Sequence, residues 1–158
     1  MFRYLTVAVF AFLIDQLTKW SIVTYVDIGQ KLPFIPGFIQ LTSIRNRGAA
    51  FGILQDQRLF FLLVTVLVLV GMIIYLRRIY RDQKILGFAL ASILGGALGN
   101  FVDRALNGEV VDMLEFTFIN FPVFNMADVF ITIGVLMIII DSFWKARMEK
   151  KANHILSD

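Results

Sequence analysis

The sequence has no cysteine, which removes disulfides, thiolate metal ligands and cysteine nucleophiles together. Histidine occurs once, as His154 in a charged C-terminal tail expected to be solvent-exposed. Zinc sites of the usual His/Cys type and Ser–His or Cys–His machinery therefore lack their parts. Charge is also sparse: Asp, Glu, Lys and Arg make up 17% of the residues, against about 25% in ordinary globular chains. No internal repeat, low-complexity tract or Pro/Ser-rich linker marks a domain boundary, so residues 1–158 read as a single domain. What remains is apolar: 58% of the 158 residues are hydrophobic, and the mean hydropathy is +0.76.

That apolar content is gathered into four blocks, residues 4–25, 59–76, 85–105 and 121–144. Each approaches the roughly 20 residues of helix that a bilayer requires. The expected class is an all-α integral membrane protein with four transmembrane helices. Arg3 ahead of the first block suggests a signal peptide, but Asp15 and Lys19 interrupt the run and no A-x-A site follows, so the block reads as a retained span. Nine of the fifteen lysines and arginines fall in the N-terminus, the 77–84 connection and the C-terminal tail. By the positive-inside rule these regions are cytoplasmic. The same bias accounts for the net charge of +3, and nothing points to nucleic acid.

This orientation gives every intramembrane polar residue a depth. Asp15 and Lys19 fall in the outer half of the first span. Asn100, Asp103 and Arg104 fall in the last turns of the third, and Asn125 and Asp128 in the first two turns of the fourth. Asn100 and Asp128 then lie roughly 8 and 10 Å along their helices from the outer ends. Asn100, Asp103 and Arg104 share one helical stripe, as do Asn125, Asp128 and Thr132. A carboxylate at the bilayer centre costs about 3 kcal/mol on insertion scales, so the convergence predicts a shared polar cavity near the outer surface. Structural readings stand beside that one. Asp15 and Lys19 form an i, i+4 ion pair, Asp103 and Arg104 pair with each other or cap their helix, and Ala91, Gly95 and Gly99 permit close helix approach. The second span offers only Thr65 and reads as packing support. In the connections, residues 38–44 are strand-compatible, 49–54 suit a short interfacial helix, and 108–121 form an extended segment over the outer mouth.

Elimination leaves carboxylates as the available catalytic groups. Ser21, Ser43, Ser92 and Ser142 have no histidine to activate them, and neither a metal-ligand set nor a cofactor motif is present. Two aspartates held close share one proton, so one can act as general base on water and the other as general acid. Asp112 and Asp128 are best placed for this. Asp15 and Asp103 come second, each beside a cation that would hold it ionised. A proton-coupled transporter would instead need polar residues at successive depths, and Asp141 is the main acid near the inner end. A structural assembly partner leaves the convergence unexplained.

Five ordered boxes carry a family resemblance over the whole chain: Asp15-Gln16-Leu17-Thr18-Lys19, Asn46-Arg47-Gly48-Ala49-Ala50-Phe51-Gly52, Gly99-Asn100-Phe101-Val102-Asp103-Arg104, Val110-Val111-Asp112 and Phe124-Asn125-Met126-Ala127-Asp128. The sequence resembles the bacterial lipoprotein signal peptidases (signal peptidase II). The resemblance implies a small extracytoplasmic β-sheet and a short interfacial helix, which suits residues 27–58. It implies an aspartic endopeptidase of the bacterial plasma membrane that cuts prolipoproteins just before a diacylglyceryl-modified cysteine. Asp112 and Asp128 would be catalytic. Asn46, Gly48, Asn100, Arg104 and Asn125 would hold substrate or orient the dyad, with Asp15, Lys19 and Asp103 as structural polar residues. The implied partners are lipidated prolipoprotein and membrane lipid; separately, no metal or cofactor is expected, and the chain is expected to act as a monomer.

Overall fold

Each apolar block forms one long helix, namely α1 (Phe2–Tyr25), α2 (Arg58–Ile79), α3 (Lys84–Asn107) and α4 (Met126–Ser157). The computed structural model describes residues 1–49 and 53–157, with side chains through Asn153. All four helices are long and apolar enough to cross a membrane. They use that apolarity differently. α2 has a mean hydropathy of 3.0 over its span yet buries only Leu76 and Ile79, so nearly its whole surface is left for lipid. α3 is the central helix: half of its span is buried, and it packs against α1, α2 and α4.

The small residues of α3 make this packing possible. A Cβ on Gly95 would meet the Ala8 carbonyl of α1, and one on Gly96 would meet the Ala127 carbonyl of α4. One on Gly99 would overlap the Asp15 carboxylate. The helices therefore approach backbone to backbone, the expected function of the small-residue stripe.

Three antiparallel strands sit on one end of the bundle, β1 (Lys31–Ile35), β2 (Ile39–Asn46) and β3 (Val110–Phe116), in the order β1-β2-β3. Ile22 of α1 and Val26 just past its end pack with Val111 and Met113 of β3 and seat the sheet on the helices. Gly108, at φ +78°, ends α3 in the left-handed conformation that glycine tolerates. The chain turns there directly into β3, and Asp103 of α3 accepts the Val111 N–H at 3.3 Å. The β2–β3 register sets Asn46 opposite Val110 and Ile44 opposite Asp112.

Several boundaries differ from the sequence expectation. The fourth helix begins at Met126 rather than 121. Residues 121–125 instead precede the helix, with Phe124 bridged to Leu114 of β3 by bonds of 2.8 and 3.0 Å. The cause is local: Asn125 caps the helix, and Pro122 suits an extended lead-in more than a helix interior. Asn125 thus lies outside α4 and Asp128 lies in its first turn, not some 10 Å along it. β2 runs two residues past the expected strand, and β1 beside it falls within residues 27–58, where the resemblance implies a small sheet. The helix expected over 49–54 spans residues 50–52, which lie outside the described set; 53–56 form a turn.

Candidate active site

Five chain segments, α1, β2, α3, β3 and the start of α4, bring the polar boxes together at the sheet end of the bundle. Lys19 of α1 is the buried cation at the base. Its ammonium bonds Asp15 at 2.8 Å, Asp103 at 3.0 Å and the Asn100 side-chain oxygen at 2.8 Å. Three donors meet three acceptors, so the group is fully satisfied. Asp15, itself wholly buried, also accepts the Ala127 N–H in the first turn of α4 at 2.8 Å. An anion there suits the exposed N–H groups of a helix N-terminus. Gln16 bonds Asp15, Asp103 and the Gly99 carbonyl, completing a clamp between α1 and α3. The expected ion pair is present, and Asp103 joins it rather than pairing with Arg104.

Above this base lie Asp112 and Asp128. Asp112 accepts from Asn46 at 2.8 Å and from Asn125 at 2.7 Å, one donor to each oxygen. Asp128 accepts the Asn100 amide at 3.0 Å and the Asn125 backbone N–H at 3.1 Å. The Asn125 side-chain oxygen in turn accepts the Asp128 N–H at 3.1 Å. Asn125 and Asp128 thus cap α4 reciprocally, N-cap to N3, while the Asn125 amide reaches across to Asp112. Burial raises the Asp112 carboxyl to a pKa of about 6, with the Asp128 charge adding to the shift against the bonds from Asn46 and Asn125. A carboxyl in that range can hold a proton near neutrality and release it on demand.

Arg104 covers one side. It donates to the Gly48 carbonyl at 3.1 Å, and its guanidinium stacks 4.6 Å from the centre of the Phe61 ring of α2. Its Nε is buried with no partner among the described residues. Arg58, the first residue of α2, donates to the Ala105 carbonyl at the end of α3 at 2.8 Å. The second span therefore contributes more than packing.

Asp112, Asp128, Asn100, Asn125, Asn46 and Arg104 open on one cavity of about 490 Å³. The polar cavity expected from sequence has a polar floor but largely apolar walls, including Phe116, Phe121, Phe124 and Val129. The polar groups are largely engaged with one another. Among the described residues no cluster of three His, Cys, Asp or Glu could hold a metal ion. The arrangement can polarise a water between two carboxylates beside an apolar surface.

Sequence reasoning named Asn125 and Asp128 but not the cap between them, and it missed the roles of Gln16 and Phe61. The Asn125-x-x-Asp128 spacing is a capping-box signal and was readable. Gln16 sits inside a recognised box, but nothing marked its bridging role. Phe61 is one phenylalanine in an apolar span, without any local signal.

The family model for signal peptidase (SPase) II matches residues 7–144. A lipoprotein signal peptidase of Brevibacillus brevis is 50% identical over 143 residues, covering 90% of this chain and 95% of the relative. One from Bacillus subtilis is 41% identical over 150 residues, covering 94% and 97%. A solved bacterial membrane enzyme superposes with a TM-score of 0.85 at 38% identity, over 92% of this chain and 90% of that one. A second gives 0.80 at 39% identity, over 89% and 92%.

Proposed function

This chain belongs to the signal peptidase II family of aspartic peptidases, and from that membership we infer that Asp112 and Asp128 are its catalytic dyad. The activity is that of the family: cleavage of signal peptides from prolipoproteins in a bacterial membrane. The observation that carries the dyad is Asn125, whose one side chain binds Asp112 and caps the helix turn bearing Asp128.

In the proposed reaction the ionised aspartate takes a proton from water, and the oxygen attacks the scissile carbonyl. The protonated aspartate donates its proton to the amide nitrogen as the C–N bond breaks, so the dyad ends with one proton, as it began. Asn46, Asn100 and Asn125 hold the two carboxyl groups, and Arg104 and the Gly48 backbone line the approach for substrate backbone. The apolar walls suit a substrate whose signal helix and diacylglyceryl chains both stay in lipid, with the cut just before the lipidated cysteine. The enzyme works as a single-domain monomer, both termini cytoplasmic, with the sheet and dyad near the extracytoplasmic face. A transporter reading finds less support. At the opposite end of the bundle the buried acid Asp141 is neutralised by Lys145 at 2.6 Å.

Purified protein incubated with a prolipoprotein, with and without the diacylglyceryl group, tests the substrate assignment. Signal-peptide release from the lipidated form alone is expected. Equal release from the unmodified form would remove lipid from the recognition.

A further inference from the structure

Three asparagines surround the two aspartates, and each has its side-chain oxygen engaged by a donor. The Gly48 N–H holds the Asn46 oxygen at 2.9 Å, and the Asp128 N–H holds the Asn125 oxygen at 3.1 Å. Lys19 holds the Asn100 oxygen at 2.8 Å, with the Asn125 amide as a second donor at 3.1 Å. Backbone N–H and ammonium groups donate and cannot accept. Each amide is therefore oriented, and each NH2 group is turned toward a carboxylate: Asn46 and Asn125 toward Asp112, Asn100 toward Asp128. Flipping Asn100 would set its NH2 against the Lys19 ammonium and its oxygen against the Asp128 carboxylate, a repulsion at both ends. Two of the three anchors are backbone atoms next to the site. The third is a side chain from another helix, contributed by a residue that no reading above gives more than a structural role.

We propose that Lys19 is a positioning residue for the cleavage reaction, acting through Asn100 to fix which end of that amide faces Asp128. This rests on the dyad reading. The buried ammonium serves two purposes with three bonds: two neutralise Asp15 and Asp103, and the third sets the polarity of a relay that runs Lys19 to Asn100 to Asp128. The bond from a charged donor is of the stronger kind, so removing it leaves the Asn100 oxygen held only by the neutral Asn125 amide.

The test is a double-mutant cycle on cleavage of lipidated precursor, with Lys19→Met, Asn100→Leu and the two combined. Folded Lys19→Met is expected to lose roughly tenfold to a hundredfold in kcat, the range for one charge-assisted bond, with KM nearly unchanged. The double variant should turn over as slowly as Asn100→Leu alone. A folded Lys19→Met with normal kcat, or losses that multiply in the double variant, would overturn the proposal. Should Lys19→Met fail to insert, the cycle is run with the same outcomes in an Asp15→Asn/Asp103→Asn background, which removes the carboxylates that the ammonium neutralised. If that background also fails, NMR of the unmutated protein with 15N-asparagine decides. Asn100 amide protons close to α4 support the proposal, and amide protons close to the Lys19 methylenes overturn it. Asp128→Asn in the same assay separates the two claims. Cleavage by Asp128→Asn would remove the dyad itself, whereas an inactive Asp128→Asn beside an unaffected Lys19→Met removes only the relay.

Discussion

Asp112 keeps its proton to about pH 6 because burial disfavours the carboxylate. An unfolded aspartate releases its proton near pH 3.9. The folded pKa is the higher of the two, so the stabilisation is fully present below about pH 4 and is lost as pH rises through about 6. A shift of this size corresponds to about 3 kcal/mol. Thermal unfolding in detergent should therefore show stability falling between pH 4 and 7, with a shallower slope for Asp112→Asn; equal slopes would remove this role from Asp112. Asp15 behaves differently. It neutralises Lys19 and accepts the Ala127 N–H, so Asp15→Asn weakens a buried ion pair, a loss of a few kcal/mol. Reduced melting temperature together with reduced activity is expected. A normally stable but inactive Asp15→Asn would place Asp15 in the chemistry instead.

Between helices, the site depends on how closely α3 can approach its neighbours. Gly96→Ala would drive a methyl into the Ala127 carbonyl, a backbone atom one residue from Asp128. Overpacking of this kind costs about 1–3 kcal/mol, and the displaced α4 N-terminus should slow cleavage as well. Gly71→Ala on α2, where nothing lies within 4 Å of the added methyl, is the matched control and should leave both unchanged. A harmless Gly96→Ala would mean that α4 is not held by this contact. The same scale shows what local pattern can and cannot reveal. Apolar blocks and the small-residue stripe were legible because each depends on residues close in sequence. The start of α4 was placed five residues early because apolar residues 121–124 continue the hydropathy of the helix. The capping box, a sharper signal than hydropathy, marks the true boundary. β1 has no clear strand signal of its own, because it is mostly exposed, and only the family resemblance implied a sheet there. Phe61 beneath Arg104 was invisible because its meaning comes only from the packing of α2 on α3.

For the whole molecule, the polar boxes could be gathered from sequence because charge is rare in a chain this apolar, so each polar residue carried information. Which carboxylates pair with the cation and which face the cavity needed the fold. Asp15 and Asp103 meet Lys19, which leaves Asp112 and Asp128 to the amides. The proposed orientation places Gln30 outside and Asp82 inside, and both are exposed. With no native cysteine, Gln30→Cys in intact cells should react with an impermeant thiol reagent and Asp82→Cys should not; the reverse pattern would move the sheet and dyad to the cytoplasmic side. The chemistry itself is tested most directly by cleavage of lipidated precursor with folded, inserted Asp112→Asn and Asp128→Asn. Asparagine keeps the size and much of the hydrogen bonding but cannot share or pass the proton that both half-reactions require. Each single variant should therefore insert normally and release no signal peptide, and near-normal turnover by either one would contradict the dyad.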